Sequence, residues 1–150
     1  MKRGLTRRVL LPVAAAMTVV LVQANPAAAR DDSFPMSTEY YRGQFGGSAR
    51  FVDYGPGAPG GGDNDDYLEI YDDVPDGRGV QVWAWLNGKY LDTKYHGGGA
   101  YTMVYFDPYS IFPNNVAAGE NIGLEICLVN GKNNRIVDSC KSITVKSVDG

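Results

Sequence analysis

The chain has 150 residues, with 14 basic and 17 acidic side chains and a single histidine. Setting aside residues 1–29 as an export signal removes four basic residues and no acids, which leaves about −7 on roughly 120 residues. That balance speaks against nucleic acid and anionic membrane surfaces as partners, since both want a basic face. It fits a secreted, extracellular protein whose copies are kept apart by like charge.

The export reading rests on three consecutive features. Lys2, Arg3, Arg7 and Arg8 form a positive start, residues 9–22 are apolar apart from Pro12 and Thr18, and Ala27, Ala28 and Ala29 supply the small residues of a cleavage site. A permanent membrane anchor needs about 20 apolar residues, more than this run has. The Arg7-Arg8 pair is compatible with either the general or the twin-arginine export route.

From 30 to 46 no periodicity is visible, and a flexible N-terminal arm is expected there. The domain itself is placed at 47–150. Within it, residues 55–62 form a Gly/Pro loop between two strand-like runs. Strands are expected at 48–54, 67–72, 80–86, 90–95, 101–106, 122–129 and 135–145. They are separated by turn signals such as Asp76-Gly77, Asn87-Gly88, Gly97-Gly98-Gly99 and Asn130-Gly131. No convincing helical period appears. About seven short strands in so short a chain predict an all-β fold, an antiparallel immunoglobulin-like β-sandwich.

Alternation assigns faces. Val80, Val82, Ala84 and Leu86 share one side of their strand, and Gln81, Trp83 and Trp85 the other; Ile122, Leu124, Ile126 and Leu128 form a second aliphatic face. The aliphatic sides are the expected core. The tryptophan side is either a second buried layer or a displayed surface, and the sequence leaves both open.

Cys127 and Cys140 are the only cysteines, and in an exported chain an even count predicts a disulfide. A hairpin turn centred on Asn133-Asn134 sets them directly opposite one another; a turn centred on Asn130-Gly131 does not. Neither CxxC spacing nor histidine partners support a redox or metal role.

His96 precedes three glycines, as in the oxyanion loop of some esterases. That chemistry also needs a GxSxG nucleophile turn and a much longer chain, so a glycine-rich hairpin loop is the better reading. Asp63, Asp65 and Asp66 form an acidic run able to offer hard oxygen ligands to calcium, although EF-hand spacing is absent. No other cofactor is expected. The pair Asp72/Asp73 lacks the deep cleft that acid–base work on a glycan requires, and the chain is read as a non-enzyme.

Aromatic content says more. Two tryptophans and ten tyrosines crowd a small acidic chain. Trp83, Trp85 and Tyr90 are the leading ligand-binding candidates, because exposed rings stack on sugar rings or on a partner's apolar patch. The expected partner is an extracellular polysaccharide or another protein. A second expectation is an inhibitor of a secreted protease or glycosidase, presenting residues 107–116 stiffened by Pro108 and Pro113. A small hydrolase is the third.

The succession Ala49-Arg50-Phe51-Val52-Asp53-Tyr54-Gly55, Tyr67-Leu68-Glu69-Ile70-Tyr71-Asp72, Asp76-Gly77-Arg78-Gly79-Val80 and Leu124-Glu125-Ile126-Cys127 is similar to small secreted proteins of filamentous actinobacteria. The resemblance implies a sandwich fold and an extracellular location, and no activity. Members of that group often carry a second disulfide, which two cysteines cannot supply.

Overall fold

The computed structural model describes residues 31–53, 66–110 and 116–148. The expected export signal, Asp63 and Asp65 of the acidic run, and residues 111–115 of the proline-containing loop lie outside the described residues.

Among the described residues eight strands follow one another: β1 (Phe34–Ser37), β2 (Gly47–Val52), β3 (Tyr67–Asp72), β4 (Gly79–Leu86), β5 (Lys89–His96), β6 (Thr102–Phe106), β7 (Asn121–Val129) and β8 (Lys141–Lys146). They form two four-stranded sheets, ordered β1-β2-β3-β6 and β5-β4-β7-β8, and every pairing is antiparallel. The pairings β3–β6 and β4–β7 join strands far apart in sequence, in the manner of the B–E and C–F pairs of immunoglobulin-like sandwiches. Among the described residues, no helix is long and apolar enough to cross a membrane.

The core follows the alternation. Met36, Ala49, Phe51, Leu68, Ile70 and Phe106 from one sheet meet Val80, Val82, Ala84, Ile122, Leu124, Ile126 and Leu128 from the other, all buried. Tyr109 closes one end of this layer, its ring edge-on to Phe51 at 5.7 Å. Asn87 and Gly88 adopt positive φ values of 51° and 78°, the backbone a two-residue turn needs to match strand twist.

Two expectations change. The stretch expected as a structureless arm contains β1, paired with β2. Phe34 and Met36 alternate inward there, and Phe34 stacks on Phe51 at 5.2 Å. Two inward residues are too few to register as a period, yet enough to dock an edge strand. The strand expected over 135–145 begins only at Lys141. Before it, a single 3-10 turn, Val137–Ser139, interrupts the return.

That turn explains the cysteines. Beyond β7 the hairpin is centred on Lys132, as the Val129–Arg135 bridge and the Asn130 N–H to Asn134 C=O hydrogen bond (2.9 Å) show. Alone, this centring misaligns the cysteines. The 3 residues of the 3-10 turn make up the offset on the returning side. Cys127 and Cys140 then face each other with Cα atoms 4.2 Å apart, joined in the expected disulfide. Ser139 stabilises the insertion: its hydroxyl accepts from Leu128 N–H at 2.9 Å and donates to Ile136 C=O at 2.6 Å.

Both edges of the β5-β4-β7-β8 sheet carry exposed lysines, Lys89 and Lys94 on β5, Lys141 and Lys146 on β8.

Candidate functional site

With the aliphatic side of β4 buried, Gln81, Trp83 and Trp85 stand on the outer face of their sheet. Cross-strand register builds three rungs there. Tyr95, Gln81 and Cys127 form the first, Thr93, Trp83, Glu125 and Ser142 the second, and Tyr90, Trp85, Gly123 and Thr144 the third. The open question about this face has a divided answer. Trp83 is 7% exposed, whereas Trp85 is half-buried and Tyr90 is 49% exposed.

The third rung opens into a groove of about 560 Å³ lined by Trp85, Asn87, Gly123, Glu125, Ser142 and Thr144, among others. Gly123 makes it: a side chain there would start 3.2 Å from Trp85 Cβ. Glycine in a strand interior often marks such close approach. Tyr90 meets the Trp85 ring edge-on at 5.8 Å and fixes its tilt. Asn87 is held by a pair of bonds, donating to Glu120 Oε1 at 2.8 Å and accepting from Asn121 N–H at 2.9 Å. The groove thus offers one aromatic wall, a bare floor, and an amide, two hydroxyls and a carboxylate around it.

Trp83 is covered by Arg135, whose guanidinium carbon lies 3.7 Å from the ring centroid. Arg135 is held in turn by Glu125, Nη1 to Oε1 at 2.5 Å. Around the indole pack Cys127, Val129, Tyr95 and Cys140. Glu125, Cys127 and Cys140 bring a carboxylate and two sulfurs within 4.8 Å of one another, but both sulfurs are spent on the disulfide and offer no thiolate to a metal.

The other candidates serve the fold. Asp66 is buried and its carboxylate accepts the backbone N–H of Val116, tying the start of β3 to the chain that follows β6. His96 is buried, with Nε2 3.1 Å from Thr102 C=O and 3.0 Å from Thr102 Oγ1, joining the end of β5 to the start of β6. Asp72 is buried too, and desolvation holds its carboxyl above the usual range. Pro108 and Tyr109, at the start of the proline-containing loop, are packed inward.

The opposite sheet has an aromatic outer face of its own, with Tyr67 edge-on to Tyr105 at 5.8 Å. Burial there, followed by donation of a 2.8 Å hydrogen bond to Glu69, pushes the Tyr71 phenol up to about 12.

Gly123, Asn87 and Arg135 were not among the residues singled out from sequence. Gly123 had a visible signal, a glycine at an outward position of an otherwise regular strand. Arg135 had none, because its place over Trp83 depends on the hairpin turning at Lys132. Fold and groove define a small antiparallel sandwich with one aromatic-walled trough on an outer sheet face. Comparison with known protein families, curated proteins and solved structures finds no match.

Proposed function

We propose that this chain is a secreted, non-enzymatic binding protein that holds a polysaccharide in the groove beside Trp85. The observation that carries this reading is Trp85 walling the bare Gly123 floor, its ring braced from the far side by Tyr90, with Asn87, Ser142, Thr144 and Glu125 lining the same groove. A ring face stacks on the C–H face of a sugar, and amides and hydroxyls pair with its hydroxyl groups. Trp83 and its cover Arg135 extend the same face. Sedimentation of the secreted protein with insoluble chitin, cellulose and peptidoglycan tests this. Wild type pellets with at least one polymer and Trp85→Ala stays in the supernatant; a wild type that stays soluble with all three overturns it.

A second reading, an inhibitor of a secreted protease or glycosidase, draws on a different observation. At the β1–β2 turn Tyr40 and Phe45 are 62% and 54% exposed, edge-to-face at 5.3 Å. The turn between them is closed by reciprocal Tyr41–Gln44 backbone bonds of 2.9 and 3.3 Å. Rigid aromatics displayed at a tip suit insertion into a partner's pocket. Inhibition of such enzymes by wild type, lost in Tyr40→Ala/Phe45→Ala, is the outcome this reading requires.

A further inference from the structure

We infer that Trp83 is a second stacking subsite of the groove, and that Arg135 occupies it until a neutral sugar chain long enough to span both tryptophans displaces the guanidinium. The inference rests on the polysaccharide reading above.

Trp83 and Trp85 are alternate residues of β4 on one outer face, so their Cα atoms stand about 7 Å apart along the strand. One ring already walls the groove. The other is 7% exposed, and the group closing it is the Arg135 guanidinium, its carbon 3.7 Å over the ring centroid. A planar group at that distance fills the position in which a sugar ring would stack. Beneath and beside the indole lie Cys127, Val129, Tyr95 and Cys140, so the bed stays in place when the cover leaves.

The cover is weakly held. Arg135 is an exposed residue, and its tie to Glu125 is a surface ion pair, a kind of contact that stabilises little. When the side chain swings out, both charges regain water. Its backbone does not have to follow, because Gln81 clamps Asn133 on one side and the disulfide fixes Cys140 on the other. Release also frees the Glu125 carboxylate. Glu125 is the cross-strand neighbour of Trp83 and lines the groove beside Trp85, so it lies at the junction of the two subsites as a hydrogen-bond acceptor. Arg135 does not line the groove beside Trp85, so a chain stacked on Trp85 alone leaves it over Trp83, whereas a longer one competes with it.

Isothermal titration of the secreted protein with cellobiose, cellohexaose, chitobiose and chitohexaose tests the inference. Arg135→Ala is expected to tighten hexasaccharide binding about two- to fivefold, the range a released cation–π lock sets, and to leave the disaccharide unchanged. Adding Trp83→Leu to Arg135→Ala abolishes the gain. A hexasaccharide-to-disaccharide ratio unchanged in Arg135→Ala, or hexasaccharide binding weakened by it, overturns the inference while the polysaccharide reading stands. Failure of wild type and variants to bind either length overturns the inference, and the polysaccharide reading falls with it only where chitin, cellulose and peptidoglycan all leave the protein in the supernatant.

Discussion

Gln81 and Asn133 hold each other through two hydrogen bonds of 2.8 Å, the Gln81 amide donating to Asn133 Oδ1 and accepting the Asn133 backbone N–H. Gln81 is fully buried on the outer side of β4, and Asn133 has a positive φ of 64°. A core-side strand therefore reaches out to fix the hairpin from which Arg135 and Cys140 project.

Gln81→Leu should be destabilised by about 1–3 kcal/mol, because it leaves the Asn133 amide without its acceptor. Asn133→Gly should cost less than Asn133→Val, since only glycine takes a positive φ without strain. Urea unfolding midpoints of the three variants check both orderings.

The disulfide closes a loop with a sequence separation of 13. Replacing both cysteines with serine should remove about 3 kcal/mol. Because Trp83 packs on both cysteines, its fluorescence should also shift toward that of a more solvated indole. Unfolding curves and emission spectra, recorded with and without reductant, read the two effects.

Filling the groove floor should weaken binding without unfolding the protein. Gly123→Val places a branched side chain where even a Cβ would lie 3.2 Å from Trp85 Cβ. Polymer binding should weaken at least about tenfold, the loss expected when one anchor aromatic is denied its ligand. Far-ultraviolet circular dichroism should keep its wild-type form, valine being a good strand residue. Retained binding in this variant would place the ligand elsewhere.

Tyr71 gives the fold an alkaline dependence of known sign. Its phenol is pushed up to about 12 from 10.0, so the folded state holds its proton more tightly than the unfolded chain. The resulting stability is complete below pH 10.0 and is lost as the pH rises toward about 12. Tyr71→Phe should show a shallower decline across that window, measured as urea midpoint against pH.

How much of this was legible beforehand differs from residue to residue. The aliphatic alternation at Val80–Val82–Ala84 and Ile122–Leu124–Ile126–Leu128 revealed both central strands, because strict period two over a long run has few other readings. Phe34 and Met36 carried the same signal over too short a span. The disulfide pairing was readable from the cysteine count, but the route to it was not. The chain turns at Lys132 and recovers register through Val137–Ser139, and nothing in a one-dimensional string announces a 3-residue offset. The tryptophan face was legible as a face, while its division was not. Trp83 is closed by an arginine from a distant hairpin, and Trp85 is opened by a glycine on the neighbouring strand.

The lysines on β5 and β8 acquire a meaning once binding to a polymer is considered. An array of molecules gathered along one polysaccharide would sit at high local concentration, with bare sheet edges side by side. Lys89, Lys94, Lys141 and Lys146 put ammonium groups on both of those edges. Like charge opposes the pairing of one molecule's edge with the next, so crowding on the polymer does not become fibre growth. On the polysaccharide reading, the residues that keep each copy separate would let many copies share one strand of ligand.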